Sequence, residues 1–177
     1  MLRGIRIAAL AGIVAVLLVP ANGSAGRNSG VKRVSTLDSA LLVQVNSFRL
    51  AHGLAPLRVS PFLGAAARAH STQMARLGYF SHNSANGSAF SSRIATYYPA
   101  RGYRSWTVGE NLLWASPDVG AARALKLWLA SPPHRANLLN PRWREIGLAA
   151  VHANRAPGVY GNSPTTIVTA DFGARTR

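Results

Sequence analysis

Two histidines and one glutamate stand in stretches whose backbone is tightly specified. His134 lies in SPPHRANLL (131–139), directly after two prolines and at the start of a helical pattern. His82 lies in YFSHNSANG (79–87), a run of turn-forming residues, and Glu110 in VGEN (108–111), between a flexible glycine and an apolar run. Stretches of this kind hold functional groups at clefts, and a partly buried glutamate needs a partner. Two imidazoles and one carboxylate support two chemistries. They can bind a divalent cation, since imidazole nitrogen suits Zn²⁺ or Cu²⁺ and two protein ligands leave positions open to water. They can also act as an acid/base set, because histidine titrates near neutral pH. The spacing does not choose between them. The H-E-x-x-H metal motif, the G-x-S-x-G elbow and a glycine-rich phosphate loop are all missing.

The other titratable groups have simpler readings. His52 precedes a helix-stopping glycine and reads as a surface or capping group. His70 falls on the apolar stripe of a helix and reads as a satisfied core residue, and His152 at a strand end reads as solvent-exposed. Asp38 and Asp118 fit helix starts, and Glu145 beside Arg144 fits an ion pair; Asp171 completes the acidic set. Ser131, three residues before His134, is the nearest hydroxyl, with no acid visibly placed to complete a triad.

These groups must be positioned by helices first and strands last. One helix is expected over 37–51. A second runs from Pro61, capped by Ser60, to a stop at Gly78. A turn at Asn86-Gly87 precedes a short helix from Phe90 to Tyr97. A third main helix is expected over 117–130, capped by Ser116 and opened by Pro117, and a short one over 132–139. Alternation around Ile146–Val151 and Ile167–Phe172 predicts two strands pairing antiparallel across the Pro/Gly loop NRAPGVYGNSP. This order, without βαβ alternation, predicts an α+β domain.

The chain has 177 residues, 48% hydrophobic and without cysteine, so one domain must stand on its core alone. Residues 1–25 read as a secretory signal peptide: Arg3 and Arg6, an apolar run from Ile7 to Val19, then Pro20 and small residues, with cleavage after Gly23 or Ala25. Residues 26–35 read as a flexible N-terminal linker and 36–174 as a single domain. After cleavage no membrane span is expected, and the chain is placed outside the cell or in its envelope. Twenty basic residues against five acidic give a formal net charge of +15, which draws the protein to anionic surfaces such as a cell-wall polymer or acidic lipid. Arg142-Trp143-Arg144 is the best local feature for nucleic acid, yet no recognised motif accompanies it, so no specific nucleic acid is expected. Tyr97, Tyr98, Tyr103 and Trp106, interleaved with Arg101 and Arg104, suggest an amphipathic contact surface.

Three motifs in order, FSHNSANGSAFSSRI (80–94), GENLL (109–113) and WLASPPHRANLLNPRWREIGLA (128–149), resemble the CAP superfamily of cysteine-rich secretory, antigen 5 and pathogenesis-related 1 proteins, in its small bacterial SCP-like branch. VTADFG (168–173) adds support, and the likeness spans Leu37 to Gly173. The resemblance implies a three-layer α-β-α sandwich with a central antiparallel sheet, and a cleft at which His82, Glu110 and His134 match the family's positions. His82 and His134 then become ligands for one divalent metal, Zn or Cu. Asn111 of the GEN motif and Asn137, one turn after His134, join the same cleft. Ser131 stands where many members carry a second glutamate, which removes one charge and weakens a metal site. The implied function is a secreted monomeric binding module for a metal, a small lipid, a sterol or a wall component. The alternative is a metal-assisted, peptidase-like hydrolase using His82, His134, Glu110 and Ser131.

Overall fold

The structure, a computed structural model, describes residues 30–177. The signal peptide expected over 1–25 lies outside the described residues. Five strands form one sheet. β1 (Val31–Arg33), β4 (Glu145–Ala156), β5 (Ser163–Thr176) and β3 (Ser105–Ala115) follow each other in that order, mutually antiparallel, and the two-residue β2 (Arg58–Val59) adds to β4 in parallel. Helices α1 (Ser35–Ala51), α4 (Ala121–Leu129) and α5 (Pro132–Leu138) cover one face, and α2 (Pro61–Leu77) and α3 (Phe90–Tyr97) the other. The α-β-α sandwich is therefore as expected. No described helix is long and apolar enough to cross a membrane.

Local chemistry explains the best-placed elements. Ser60 accepts a hydrogen bond from the Leu63 N–H, Pro61 opens α2, and Gly78 closes it at φ 72° in the left-handed region. On its sheet side α2 buries Leu63, Ala66, Ala67, His70 and Met74, and the alanines let the helix lie close to β4. The opposite layer closes over Leu41, Val45, Trp128, Leu138 and Phe172.

Five expectations change. The segment read as part of a flexible linker carries β1, which pairs with Ala153, His152 and Val151 of β4, and α1 begins at Ser35. Asp38 does more than favour a helix start: its carboxylate accepts from the Ala150 N–H at 2.6 Å and pairs with Arg33, tying α1 to the sheet. The helix expected from 117 starts only at Ala121, because the Ser116 hydroxyl donates to the Pro164 carbonyl instead of capping. Tyr98 leaves the expected aromatic surface altogether. It is fully buried, its hydroxyl donates to Glu145 at 2.5 Å, and Arg175 stacks on its ring. Glu145 thus pairs with a phenol, while Arg144 donates to main-chain carbonyls.

Candidate functional site

The sequence leaves residues 105–115 without an element; they form an eleven-residue strand. β3 ends the strand order, so its outer edge pairs with no strand among the described residues. Side chains alternate across it. Glu110 points to the layer of α2 and α3, and Gly109 and Asn111 to the layer of α5. Gly109 is needed for close approach rather than flexibility: a Cβ there would sit 2.7 Å from the Trp143 ring.

On the α2 side, Glu110 is held by donors from two side chains. Arg93 of α3 donates to Oε2, and His82 Nδ1 lies 2.8 Å from Oε1. The Glu110 side chain is fully shielded from water, whereas that of His82 is 49% exposed. Arg93 also donates to the His82 carbonyl at 3.0 Å and the Ser84 hydroxyl at 3.3 Å, so one guanidinium fixes both the carboxylate and the loop. With Nδ1 turned to the carboxylate, Nε2 is the His82 nitrogen that faces outward.

Directly across from Glu110 in the β3–β5 register stands Asp171. It is fully buried and neither carboxyl oxygen receives a hydrogen bond. Burial, and then the Glu110 charge, push its pKa well above the usual carboxylate range. Asp171 therefore holds its proton more tightly than an ordinary carboxyl group, directly beside Glu110. His70 lies on the same side of the sheet, its Nε2–H donating to the Ser81 carbonyl at 2.9 Å. Burial, with Arg93 adding to it, pushes the imidazole down to about 4.

That shift has a measurable consequence. Between the ordinary histidine value near 6.5 and the folded value near 4, only the unfolded chain takes the proton. Stability is thus full above about pH 6.5 and lost as pH falls towards 4, by about 3 kcal/mol for a shift of that size. Asp171 acts in the opposite sense, since its raised pKa favours the folded state at low pH and this part fades as pH rises. Because the Asp171 part runs the other way, the test is a difference: across pH 4–7 the urea midpoint of the wild type should lose more with acid than that of His70→Phe does. Equal slopes would deny His70 this role.

On the α5 side, two asparagines make the structural tie. Asn111 Nδ2 donates to the His134 carbonyl, and Asn137 Nδ2 to the Glu110 carbonyl and Asn111 Oδ1, each at 3.0 Å. The His134 ring makes no hydrogen bond to described residues. Burial and the neighbouring His82 lower its pKa, which keeps it neutral. The asparagines hold α5 to the strand and leave the imidazole free.

The two layers meet over the edge of β3 in a cleft of about 330 Å³, lined by His82, Phe90, Val108, Gly109, Glu110, Pro133, His134 and Asn137. The structure thus brings His82, Glu110, His134 and Asn137 together. Asn111 is fully buried behind the cleft. Ser131 precedes α5 as its cap residue and does not line the cleft, so the nearest hydroxyl in sequence is not at the site. Among the expected bystanders, His70 is core as read, His52 Nδ1 meets the Phe48 carbonyl, and His152 is half-buried against Thr166 rather than free in solvent. Sequence reasoning missed Arg93 and Asp171. The need of a buried Glu110 for a partner was the one available signal for Arg93; Asp171 had none, since only the strand register places it.

A divalent cation fits this arrangement in part. The His82 tautomer is fixed by a carboxylate and the His134 ring is neutral and unbonded, as ligands require. No group of three or more metal-ligating side chains occurs among the described residues, so a cation held here keeps several positions for water or ligand.

Comparison with known proteins places these features in context. A model of the "Cysteine-rich secretory protein family" (CAP) matches residues 42–172. The chain is 32% identical over 126 residues to the uncharacterized protein YkwD of Bacillus subtilis (strain 168), covering 71% of this chain and 46% of that one. It therefore spans less than half the length of this relative. A solved extracellular protein containing an SCP domain from Bacillus anthracis str. Ames is similar at 26% identity and TM-score 0.60, over 81% of this chain and 41% of that one. An outer surface protein from Borrelia burgdorferi shares the fold at 20% identity and TM-score 0.63, over 82% of this chain and 98% of that one.

Proposed function

Since the chain belongs to the CAP family of cysteine-rich secretory proteins, we propose that it is a secreted binding module whose cleft takes a divalent cation, Zn²⁺ or Cu²⁺, through His82 and His134. The observation that carries this reading is the division of labour in the cleft. Arg93 and Glu110 orient His82, the two asparagines do the structural tying, and both imidazoles keep a nitrogen without a protein partner. Bound there, the cation would act as a Lewis acid and as an attachment point for an oxygen or nitrogen ligand. Two protein ligands make for modest affinity. Among the described residues no hydroxyl or thiol lines the cleft, which favours binding over covalent catalysis.

Export is supported by the N-terminal apolar segment and by the similar extracellular protein. Surface charge supports an anionic destination. Asp38, Glu110 and Asp171 are buried and Glu145 is half-buried against Tyr98, so Asp118 is the exposed side-chain carboxylate among the described residues. A surface so uniformly positive would hold the protein to a wall polymer or acidic lipid.

Calorimetric titration of metal-stripped protein with Zn²⁺ and Cu²⁺ is the test. One saturable site is expected, weakened about 100-fold or more in both His82→Ala and His134→Ala. Absence of binding by the wild type would make the cluster a structural one.

A further inference from the structure

The cleft is floored by a strand edge as well as by side chains. The carbonyls of Glu110 and Leu112 accept from Asn137 Nδ2 and Trp128 Nε1, neither of which belongs to β5. In an antiparallel ladder the N–H and C=O of one residue point the same way, and alternate residues point to opposite edges. The parity that turns positions 110 and 112 outward therefore turns Val108 outward too. Trp128 and Asn137 cover two outward carbonyls. The N–H groups of Val108 and Glu110 and the Val108 carbonyl make no hydrogen bond to a side chain among the described residues, and all three belong to cleft-lining residues. Glu110 retains 4% exposure as a residue but none in its side chain, so what water reaches there is main chain.

We propose that this cleft receives an extended acidic peptide, which adds as a further strand to the open edge of β3 at Val108–Glu110. This rests on the reading of the cleft as a binding site and names the class of its ligand. An unpaired edge is a template for strand addition, and elsewhere proteins cover or charge such edges. Here the open edge at Val108–Glu110 is recessed between two helical layers, where a peptide can reach it and a second sheet cannot. Main-chain pairing gives affinity without regard to sequence. Phe90 on one wall offers an apolar contact for a side chain, and the protein's net charge of +15 favours a peptide that carries acidic residues. His82 and His134 flank the pairing segment, so a carbonyl or carboxylate of the peptide lies close to both imidazoles.

The test is an NMR titration of ¹⁵N-labelled protein with a pool of capped tetrapeptides, acidic at both ends and randomised in the centre. The comparison pools are the same peptides N-methylated at alternate amides, and a pool with basic ends. The acidic pool should shift the Val108 and Glu110 amide resonances and slow their hydrogen exchange by about tenfold or more. The N-methylated pool, which cannot complete a ladder, should do neither, and the basic pool should bind at least about tenfold more weakly at low salt. Val108→Pro removes one outward N–H at an edge position that tolerates proline. It should lose peptide binding while keeping the dispersed ¹⁵N spectrum of the folded protein. Equal binding of the N-methylated pool, or no protection of the two amides by any pool, overturns the proposal. Because the peptide arm needs no metal, an absent metal site leaves it standing, and a present metal site does not rescue it.

Discussion

Arg93→Met should destabilise the protein by about 3–5 kcal/mol, the usual cost of stripping one partner from a buried ion pair. The Glu110 side chain has no contact with water and the Arg93 side chain is only 8% exposed, so solvent cannot replace the lost charge. His82 alone would remain beside the carboxylate, with the buried Asp171 carboxyl on its other side. The loss also reaches the loop, since Arg93 holds the His82 carbonyl and Ser84. The double variant Arg93→Met/Glu110→Gln should recover a large part of the loss, because it removes the stranded charge along with its partner. Urea denaturation of the two variants and of Glu110→Gln closes the cycle. A double variant no better than Arg93→Met would show that loop anchoring, and not the charge, is what Arg93 supplies. In either case Arg93→Met should weaken Zn²⁺ binding, since His82 loses its fixed orientation.

Gly147→Ala carries the second large effect. Gly147 stands in the same cross-strand row as Asp171 and Glu110, where α2 crosses β4. An added Cβ would lie 2.1 Å from both the Gly64 nitrogen and the Leu63 carbonyl carbon of α2. Those are main-chain atoms of a helix, so no rotamer change relieves the contact and the whole helix must lift. It is held down by the Ser60 N–H bond to the Ile146 carbonyl and by the Ser71 hydroxyl on the Ala149 carbonyl. Overpacking commonly costs about 1–3 kcal/mol, and a rigid backbone clash belongs at or above the top of that range. Gly64→Ala is the control. Nothing lies within 4 Å of its Cβ position, and alanine in a helix interior gains about 0.5–1 kcal/mol over glycine. If both alanine variants unfold at the same urea concentration, the close approach of α2 to the sheet is not as described.

Elements whose ends are marked by local chemistry were legible from the chain alone. Ser60, Pro61 and Gly78 bound α2 on the residue, Phe90–Tyr97 is helical as read, and the alternation near Ile146 and Ile167 lies within β4 and β5. The family motifs supplied the sandwich and the matching of His82, Glu110 and His134. β3 was not legible, because a strand holding Gly109, Glu110 and Asn111 runs against strand preference. It is formed by its eleven-residue pairing with β5, a partner far along the chain. The same distance hid Asp171 opposite Glu110, put Tyr98 in the core against Glu145, and took Ser131 out of the cleft. Composition and near neighbours in the chain are enough to say which residues could ligate or titrate, where most helices start and stop, and how far positive charge exceeds negative. Each of these follows from counts or from residues a few positions apart. Which of those residues meet, how Arg93 and the asparagines divide the work, and which strand edge stays open were set by folding alone, because each depends on register and on layers brought together from opposite ends of the chain.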